Sequence, residues 1–180
     1  MNNNVRIVID FEITPELVGI YSRSTHCTFV GEKDGPYCLS RSAQELQRIA
    51  TTKMYGNNER LGIMKIYHQD QLVGFALPRV LQVKEHKVFK LDEDQTYHRV
   101  GTVFIDHPHR GKGIIGQAIK LFKAIYPNLI WTCDEKNTSS QKAAVKGDLK
   151  FSHLIYFKSK TEWSFEPMLD HVRVSHVYVS

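Results

Sequence analysis

Residues 100–116 decide the fold of this chain; they read VGTVFIDHPHRGKGIIG. The apolar, partly β-branched run from Val100 to Ile105 is typical of a buried strand. A glycine-rich loop follows from Arg110 to Gly116, and the amphipathic helical pattern behind it ends at Pro127. Strand, glycine loop and helix together favour anion binding. Glycine lets the backbone approach a ligand, and the first turn of a helix has N–H groups without an intrahelical partner.

The composition is that of an ordinary globular protein. The chain has 180 residues, of which 42% are hydrophobic and 24% charged, so we expect one domain spanning residues 1–180. No window approaches the ~18 uncharged apolar residues of a membrane span. The first residues also lack the apolar stretch of a secretory signal. These features predict a cytoplasmic protein without a membrane partner.

Charge and cysteine content exclude some classes of site. The formal net charge of +5 and the pI near 9.1 favour anionic partners, but the basic residues are scattered, so nucleic-acid binding is permitted rather than indicated. Cys27, Cys38 and Cys133 are odd in number and lack CxxC spacing, which argues against a disulfide framework and a zinc knuckle. Cys133 is interpreted as a core residue. The pair His107 and His109 has no evident third ligand, so no metal site is predicted.

The remaining patterns predict a mixed α/β fold with the order β-α-α-β-β-β-α-β-α-β-β. The segment 84–97 is interpreted as a charged connection. The predicted elements are a strand at 5–11, a helix after Thr14, a helix from Ser42 to about Met54, strands at 61–67, 72–83 and 100–105, a helix from Ile114 to Pro127, a strand at 129–133, a helix from Thr138 to Gly147, and strands at 151–158 and 171–179.

Three local patterns give sharper expectations. Spacing of 3.6 residues places one apolar face on the helix after the loop, formed by Ile114, Ala118, Leu121, Phe122 and Ile125. A capping box at residues 138–141 opens the next helix, and Gly147 is expected to close it in the left-handed conformation. Strict alternation over residues 171–179 predicts a half-buried last strand.

The element order and the glycine loop resemble the GNAT superfamily of acyl-CoA-dependent N-acetyltransferases. The family motif is Gln or Arg, two residues, Gly, one residue, then Gly or Ala. Arg110 and Gly113 fill the first two positions, and Ile115 stands where the family usually has a small residue. We interpret Ile115 as a larger side chain that also suits the apolar face of the helix. The resemblance covers roughly residues 60–158, and the first 60 residues match in element order only.

The resemblance implies acetyl-CoA as co-substrate and a fold in which the fourth and fifth strands splay apart around its pantetheine arm. Backbone groups of the fourth strand would hold that arm, the loop would hold the diphosphate, and an asparagine after the fifth strand would contact the cofactor. The implied cofactor-binding residues are Phe104, Ile105, Asp106, Arg110, Gly111, Lys112, Gly113, Ile114, Ile115, Gly116 and Asn137.

The resemblance leaves the catalytic groups open, because many relatives carry a tyrosine acid seven residues after the asparagine and this chain has Ala144 there. Three explanations for the missing tyrosine remain open: another residue donates the proton, water assists the leaving thiolate, or the protein binds the cofactor without turnover. The candidate acids are Tyr156, Ser140 and Ser139. The candidate bases are Asp134, Glu135, Asp106, His98 and a water molecule.

The sequence therefore predicts direct transfer of an acetyl group from acetyl-CoA to a primary amine of an unidentified acceptor. The acceptor is a small molecule, a protein or an RNA, and the oligomeric state is left open. Two alternatives remain: a non-catalytic module that binds CoA or a partner, and a transferase acting on nucleic acid or aminoacyl-tRNA. Basic and aromatic residues of the first helices and late strands are compatible with such acceptors; they include Tyr21, Arg23, Arg41, Tyr55, Trp163 and Phe165.

Overall fold

The computed structural model describes residues 4–24, 44, 46–48, 54–55, 58–158, 162–171 and 173–180. Its strands are β1 (Val5–Asp10), β2 (Met54–Tyr55), β3 (Asn58–Glu59), β4 (Ile63–His68), β5 (Gln71–Val80), β6 (His98–Ile105), β7 (Leu129–Asp134), β8 (Lys150–Phe157), β9 (Trp163–Ser164) and β10 (Arg173–Val179). Its helices are α1 (Pro15–Arg23), α2 (Val83–Phe89), α3 (Ile114–Ile125) and α4 (Thr138–Lys146), with a 3-10 turn at His107–His109.

Eight of the strands form one mixed sheet in the order β1-β4-β5-β6-β7-β10-β8-β9, while β2 and β3 form a separate two-stranded ribbon. Neighbouring strands of the large sheet are antiparallel except β6 and β7, which are parallel. The helix α3 connects this parallel pair, as a crossover connection must. The predicted mixed sheet with a central parallel pair is confirmed.

Helices cover both faces of the sheet. The α3 face carries α3 and α4, whose Phe122 and Ala144 pack with strand residues such as Trp131. The opposite α1 face carries α1 over β4, β5 and β6, with Tyr21 against Phe75. Helix α2 covers the β7, β10 and β8 half of that same face. The predicted half-buried last strand is therefore wrong, because β10 lies between β7 and β8 with helices over both faces.

The start of the chain and the central hairpin follow the sequence closely. Thr14 caps α1 by accepting a hydrogen bond from the Leu17 N–H at 3.2 Å, and Pro15 occupies the first helical position. Strands β4 and β5 join through Gln69 and Asp70, which both have positive φ (52° and 60°). Positive φ at both central residues is the turn geometry that matches the twist of a two-residue hairpin.

Helix α2 lies in the segment predicted to be a charged connection, so that prediction is wrong. The Glu85 carboxylate accepts a hydrogen bond from the Gln82 N–H at 3.2 Å, which satisfies a donor at the start of the helix. His86 and Phe89 form its buried side. The sequence contains this signal: Gln82 and Glu85 have the spacing of a capping box, and His86 and Phe89, three residues apart, fall on one side of a helix.

The second predicted helix falls mostly outside the described residues. Residues 44 and 46–48 are helical, and Leu46 is buried in the cluster beneath α1. The expected extension to Met54 is wrong, since Met54–Tyr55 is a strand. The predicted loop at 25–39, its cysteines Cys27 and Cys38, and the Ser42 cap lie outside the described residues.

The buried side of α3 differs from the predicted face. Ile114, Ala118 and Phe122 are buried as expected, but Leu121 is 38% and Ile125 55% exposed. Ile119 is buried instead, because it lies so close to Gly147 at the end of α4 that a Cβ on Gly147 would collide with it. The helical period is right, whereas the direction of the face is set by α4, which the spacing does not reveal.

Both ends of α4 differ in detail from the sequence prediction. The N-cap is Asn137, whose Oδ1 accepts a hydrogen bond from the Ser140 N–H at 3.0 Å, rather than Thr138. At the other end Gly147 has φ −82°, and Asp148 takes the left-handed conformation with φ 60°. Gly147 is a glycine because Ile119 leaves no room for a side chain. In the described part of the chain, no helix is long and apolar enough to span a membrane.

The close contact of α3 with α4 gives a test of stability. A Cβ on Gly116 would lie 2.8 Å from the Lys146 Cβ, so we expect Gly116→Ala to lower the free energy of unfolding by about 1–3 kcal/mol through overpacking. Gly19→Ala is the matched control in α1, where the nearest atom to an added Cβ is Arg23 Nη1 at 3.5 Å, an ordinary van der Waals contact. It should raise stability by about 0.4–1 kcal/mol. Urea unfolding measures both, and a stabilising Gly116→Ala would contradict the packing.

Candidate functional site

The central feature of the site is a gap between β6 and β7. The two strands pair only through His98 with Leu129 and Arg99 with Ile130. Beyond these two pairs the strands separate, so the rest of β6 has no β7 partner. We call the space between residues 100–105 and 131–134 the gap. Its closed end lies at Arg99 and its open end at Ile105, beside the glycine loop. The predicted splay is confirmed.

A β-bulge bends β6 along the gap. Gly101 pairs with Leu77 and Phe104 with Phe75, so Ala76 on β5 faces two residues of β6. One of these, Thr102, has φ 46°, a left-handed conformation that is rare for a β-branched residue. Bulges bend the strand that carries them and leave the extra residue outside the ladder. The bulge therefore accounts for the departure of β6 from β7.

Of the three strand-end residues predicted to hold the cofactor arm, only Ile105 directs its backbone into the gap. The Asp106 N–H donates to the Val73 carbonyl at 2.8 Å, and the Asp106 carbonyl accepts from His109 at 2.9 Å. Because backbone groups alternate in direction along an antiparallel strand, Phe104 faces β5 and Ile105 faces the gap. The Ile105 carbonyl accepts from Arg110 Nε at 2.9 Å, which leaves the Ile105 N–H facing the gap.

The glycine loop forms an open cradle at the end of the gap. Gly111 and Gly113 have φ 77° and 75°, and a Cβ on either would meet nothing within 4 Å. Positive φ explains both glycines. Gly113 precedes α3 and has no side chain that could cap the helix. No other described side chain caps the N–H groups in the first turn of α3. The space over the loop is thus bordered by unsatisfied donors at the positive end of the helix.

The other loop residues fix the cradle or border it. Besides its hydrogen bond to the carbonyl of Ile105, the Arg110 guanidinium lies 5.2 Å from the centre of the Phe104 ring. Lys112 is exposed at the cradle. Ile114 is buried, and Ile115 lies half-buried against the main core, in agreement with its place on the apolar face. Gly116 contacts α4, so its small size serves helix packing rather than backbone freedom.

A salt bridge joins α1 to the same strand end. Arg23 donates from Nε to Asp106 Oδ1 at 3.1 Å and from Nη2 to Oδ2 at 2.6 Å. The Asp106 carboxylate also accepts from the His107 N–H at 3.1 Å. The hydrogen bonds from Arg23 lower the pKa of Asp106 below its ordinary value. This carboxylate is consequently held in a salt bridge at the strand end, and its role as a base stays a prediction.

The start of α4 brings Asn137 and Ser140 to the β7 side of the gap. The Ser140 hydroxyl oxygen accepts a hydrogen bond from Trp131 Nε1 at 3.0 Å. Cys133 lies beside it, and burial raises the pKa of this thiol to about 11, so Cys133 is a buried thiol, as the sequence predicted. Asn137 is occupied as the N-cap through Oδ1.

The structure separates the other catalytic candidates. Asp134 ends β7 and is half-buried, and its Oδ1 accepts from the Lys136 N–H at 2.9 Å. Tyr156 lies on β8 beyond β10, and its ring packs edge-on against His171. His98 lies at the closed end of the gap against Tyr126. Ser140 and Asp134 therefore flank the end of β7, whereas Tyr156 and His98 do not. Their catalytic roles stay predictions.

Arg99, which the sequence analysis did not single out, lies at the closed end of the gap. Its Nη2 donates to Thr132 Oγ1 on β7 at 2.7 Å, and its guanidinium lies 5.5 Å from the Phe89 ring centre on the α1 face. Burial lowers the pKa of Arg99 to about 10. An arginine in the middle of a strand gives no local signal, because its importance depends on where β6 and β7 separate.

Comparison with known proteins rests on structure alone. No family model matches the sequence, and no curated protein matches it. Several solved acetyltransferases share the fold along nearly the whole chain, at sequence identities that support a statement about fold only.

Three of these structures illustrate the similarity. The ribosomal L7/L12 alpha-N-protein acetyltransferase RimL, in complex with coenzyme A, has a TM-score of 0.62 and 12% identity over 100% of this chain and 94% of its own. The microcin C7 self-immunity acetyltransferase MccE, in complex with acetyl-CoA and AMP, has a TM-score of 0.61 and 13% identity over 100% of this chain and 93% of its own. An N-acetyltransferase from Staphylococcus aureus Mu50 has a TM-score of 0.57 and 18% identity over 98% of both chains. The chain thus has the GNAT fold.

The salt bridge between Arg23 and Asp106 predicts a pH-dependent contribution to stability. The Arg23 side chain is 56% exposed, so solvent screening limits the loss in Arg23→Gln to about 0.5–1 kcal/mol at pH 7. Because the folded pKa of Asp106 is lowered, this stability is present above the unfolded carboxyl pKa of about 3.9 and is lost as the pH falls through the folded value. Urea unfolding from pH 7 to pH 2 measures it. A difference from wild type that stays constant down to pH 2 would contradict the pair.

Proposed function

We propose that this protein is an N-acetyltransferase that moves an acetyl group from acetyl-CoA to a primary amine. One observation carries the proposal: the open, uncapped cradle at Gly111–Gly116 adjoins the open end of the gap in the sheet. A diphosphate fits the cradle, and an extended amide-containing arm fits a gap lined by unpaired strand backbone. Coenzyme A joins those two chemical groups in one molecule.

The residues divide the binding between them. The N–H groups from Gly113 to Gly116 and the Lys112 ammonium would hold the diphosphate. The Ile105 N–H would donate to the arm within the gap, in the manner of an added strand. Arg110, bound to the Ile105 carbonyl, would keep loop and strand end in register. Asn137 borders the other side, with its Oδ1 retained as the α4 cap.

The chemistry requires a polarised acyl carbonyl, a neutral amine and a proton for the leaving thiolate. Acetyl-CoA supplies the activated thioester when bound. The backbone N–H groups that the bulge at Thr102 frees from the ladder would polarise its carbonyl. Ser140 is the acid we favour, because its oxygen accepts from Trp131 and its hydrogen is held only by the Cys133 sulfur, a weak acceptor from which it can turn to a leaving thiolate. Asp134, half-buried at the end of β7, is the base we favour.

A non-catalytic, CoA-binding function is the alternative, and one observation favours it. Ala144 is fully buried in the main core, so the position of the usual tyrosine acid offers no proton donor. The two functions share the cradle and differ in turnover. Binding and thiol release must therefore be measured separately.

The cradle is tested by an isosteric pair of variants. Asp and Asn both tolerate the left-handed conformation of Gly113, so Gly113→Asn and Gly113→Asp differ in charge only. We expect Gly113→Asp to raise the calorimetric Kd for CoA about 100-fold and Gly113→Asn about 10-fold, because the carboxylate repels the diphosphate. Equal affinities of the two variants would refute anion binding at this loop.

Turnover is tested by following thiol release from acetyl-CoA with a panel of primary amines. We expect release from wild type, a fall in kcat of about 100-fold in Ser140→Ala, and little change in Tyr156→Phe. The reverse pattern would assign the acid to Tyr156. Calorimetric CoA affinity, unchanged in both variants, is the control. Tight CoA binding without release on any amine would support the non-catalytic alternative.

A further inference from the structure

A group of arginines lies on the α1 face beside the gap. Arg99 is the last residue of β6 that pairs with β7, and its side chain reaches across to Thr132. Arg79 is its direct partner on β5, so the two side chains share one face of the sheet. Arg173, at the start of β10 and level with the end of β7, also acts on Arg99 through its charge. We call Arg79, Arg99 and Arg173 the arginine cluster.

The cluster carries more positive charge than its protein partners neutralise. Arg79 forms a bidentate salt bridge with Glu85, with both distances 2.7 Å. Glu85 is also the one carboxylate that raises the pKa of Arg99. Arg173 lies over the Phe157 ring at 4.4 Å, and no salt bridge to it occurs in the described residues. Within the described ranges, one carboxylate thus serves three guanidinium groups.

Arg99 is under-bonded for a charge whose Nε is buried. Its Nε is buried and lacks a hydrogen-bond partner within the described part of the chain. Its Nη2 has a neutral hydroxyl as partner. A largely buried charge is costly unless it is paired and hydrogen-bonded. An arginine in this state has bonding capacity for an anion that the described residues do not provide.

The position of Arg99 separates it from the cradle. Arg99 precedes Ile105 by six positions along β6, which corresponds to about 20 Å of strand. A diphosphate on the glycine loop cannot also reach Arg99. The bulge at Thr102, where the acyl group would be transferred, is only three residues away, or about 10 Å. An anion at the cluster therefore belongs to the molecule that meets the acyl group.

We infer that Arg99 and Arg173 bind an anionic group of the acceptor, a carboxylate or a phosphate-type oxyanion within about 10 Å of the acetylated amine. This inference rests on the proposed acetyl transfer. It assigns a compact anionic amine as the acceptor class, with Arg79 held by Glu85 as the wall of the subsite. Arg99 is then a specificity-determining residue, because it contacts the acceptor away from the reacting atoms.

Binding of matched amines tests this subsite without turnover. The probes are β-alanine, 2-aminoethylphosphonate and 3-aminopropanamide, which share an aminoethyl group and differ in the carboxylate, phosphonate or neutral amide. Saturation-transfer NMR with wild type, with and without CoA, should show the anionic probes binding at least about 10-fold tighter than the amide. The ratio of the two anionic probes identifies which oxyanion is preferred. Equal binding of all three probes would overturn the inference.

Variants locate the effect. Arg99→Gln should abolish the preference for the anionic probes without weakening the amide, and Arg99→Lys should retain part of it. Arg173→Gln, an exposed change that spares the core, should reduce the preference about threefold. The matched control is Arg6→Gln on the edge strand β1, which removes a guanidinium that lies over the Tyr67 ring of β4. A thermal melt verifies folding, and an unchanged preference in both Arg99→Gln and Arg173→Gln would refute the subsite.

CoA calorimetry on the same samples separates the two proposals. The subsite is supported if Arg99→Gln loses the preference for the anionic probes while its affinity for CoA is unchanged. If CoA fails to bind to wild type, the proposed acetyl transfer fails, while the probe measurements without CoA still report on the arginine cluster. If CoA binds and Arg99→Gln behaves as wild type toward all three probes, Arg99 is a structural brace between β6 and β7, and the inference is wrong.

Discussion

The constraint on which the site depends is that β6 and β7 are parallel neighbours joined by only two residue pairs. A longer ladder would consume the backbone groups that now face the gap, and no pairing at all would split the eight-stranded sheet. The bulge at Thr102 reconciles these demands, because it keeps β6 bound to β5 while turning it from β7. Unpaired backbone in the middle of a sheet is costly unless a ligand or water satisfies it, so the gap is itself an argument for binding.

The helix that follows the gap is held in place by contacts independent of any ligand. Gly116 and Gly147 let α3 and α4 approach closely, while Arg110 and the Arg23–Asp106 pair attach the loop and α1 to the end of β6. The donors of the cradle are thereby fixed before a ligand arrives. Such preorganisation lowers the entropic cost of binding. It also explains why the contacts of Arg110 and Arg23 both lie at the end of β6.

The sequence predicted the features that depend on local patterns. The hairpin, the Thr14 cap, the glycine loop and the parallel strands around α3 each have a signal within a few residues. Helix α2 also has one in Gln82 and Glu85, but the many charges of its segment mask it. The exposed Leu121 and Ile125, and the two-sided burial of β10, depend on which elements pack together. No spacing within one segment contains that information.

The same distinction separates the two halves of the candidate site. The cradle follows from a contiguous loop, so Gly111 and Gly113 can be found by reading along the chain. Ser140 matters because Trp131, nine residues earlier, donates to it, and Arg99 matters because Thr132, thirty-three residues later, lies across the gap. Pairs of this kind form only when the strands have been assembled. An acid or an acceptor subsite in this fold is thus set by tertiary neighbours, which is why the anion of the cofactor was easier to infer from sequence than the chemistry that follows.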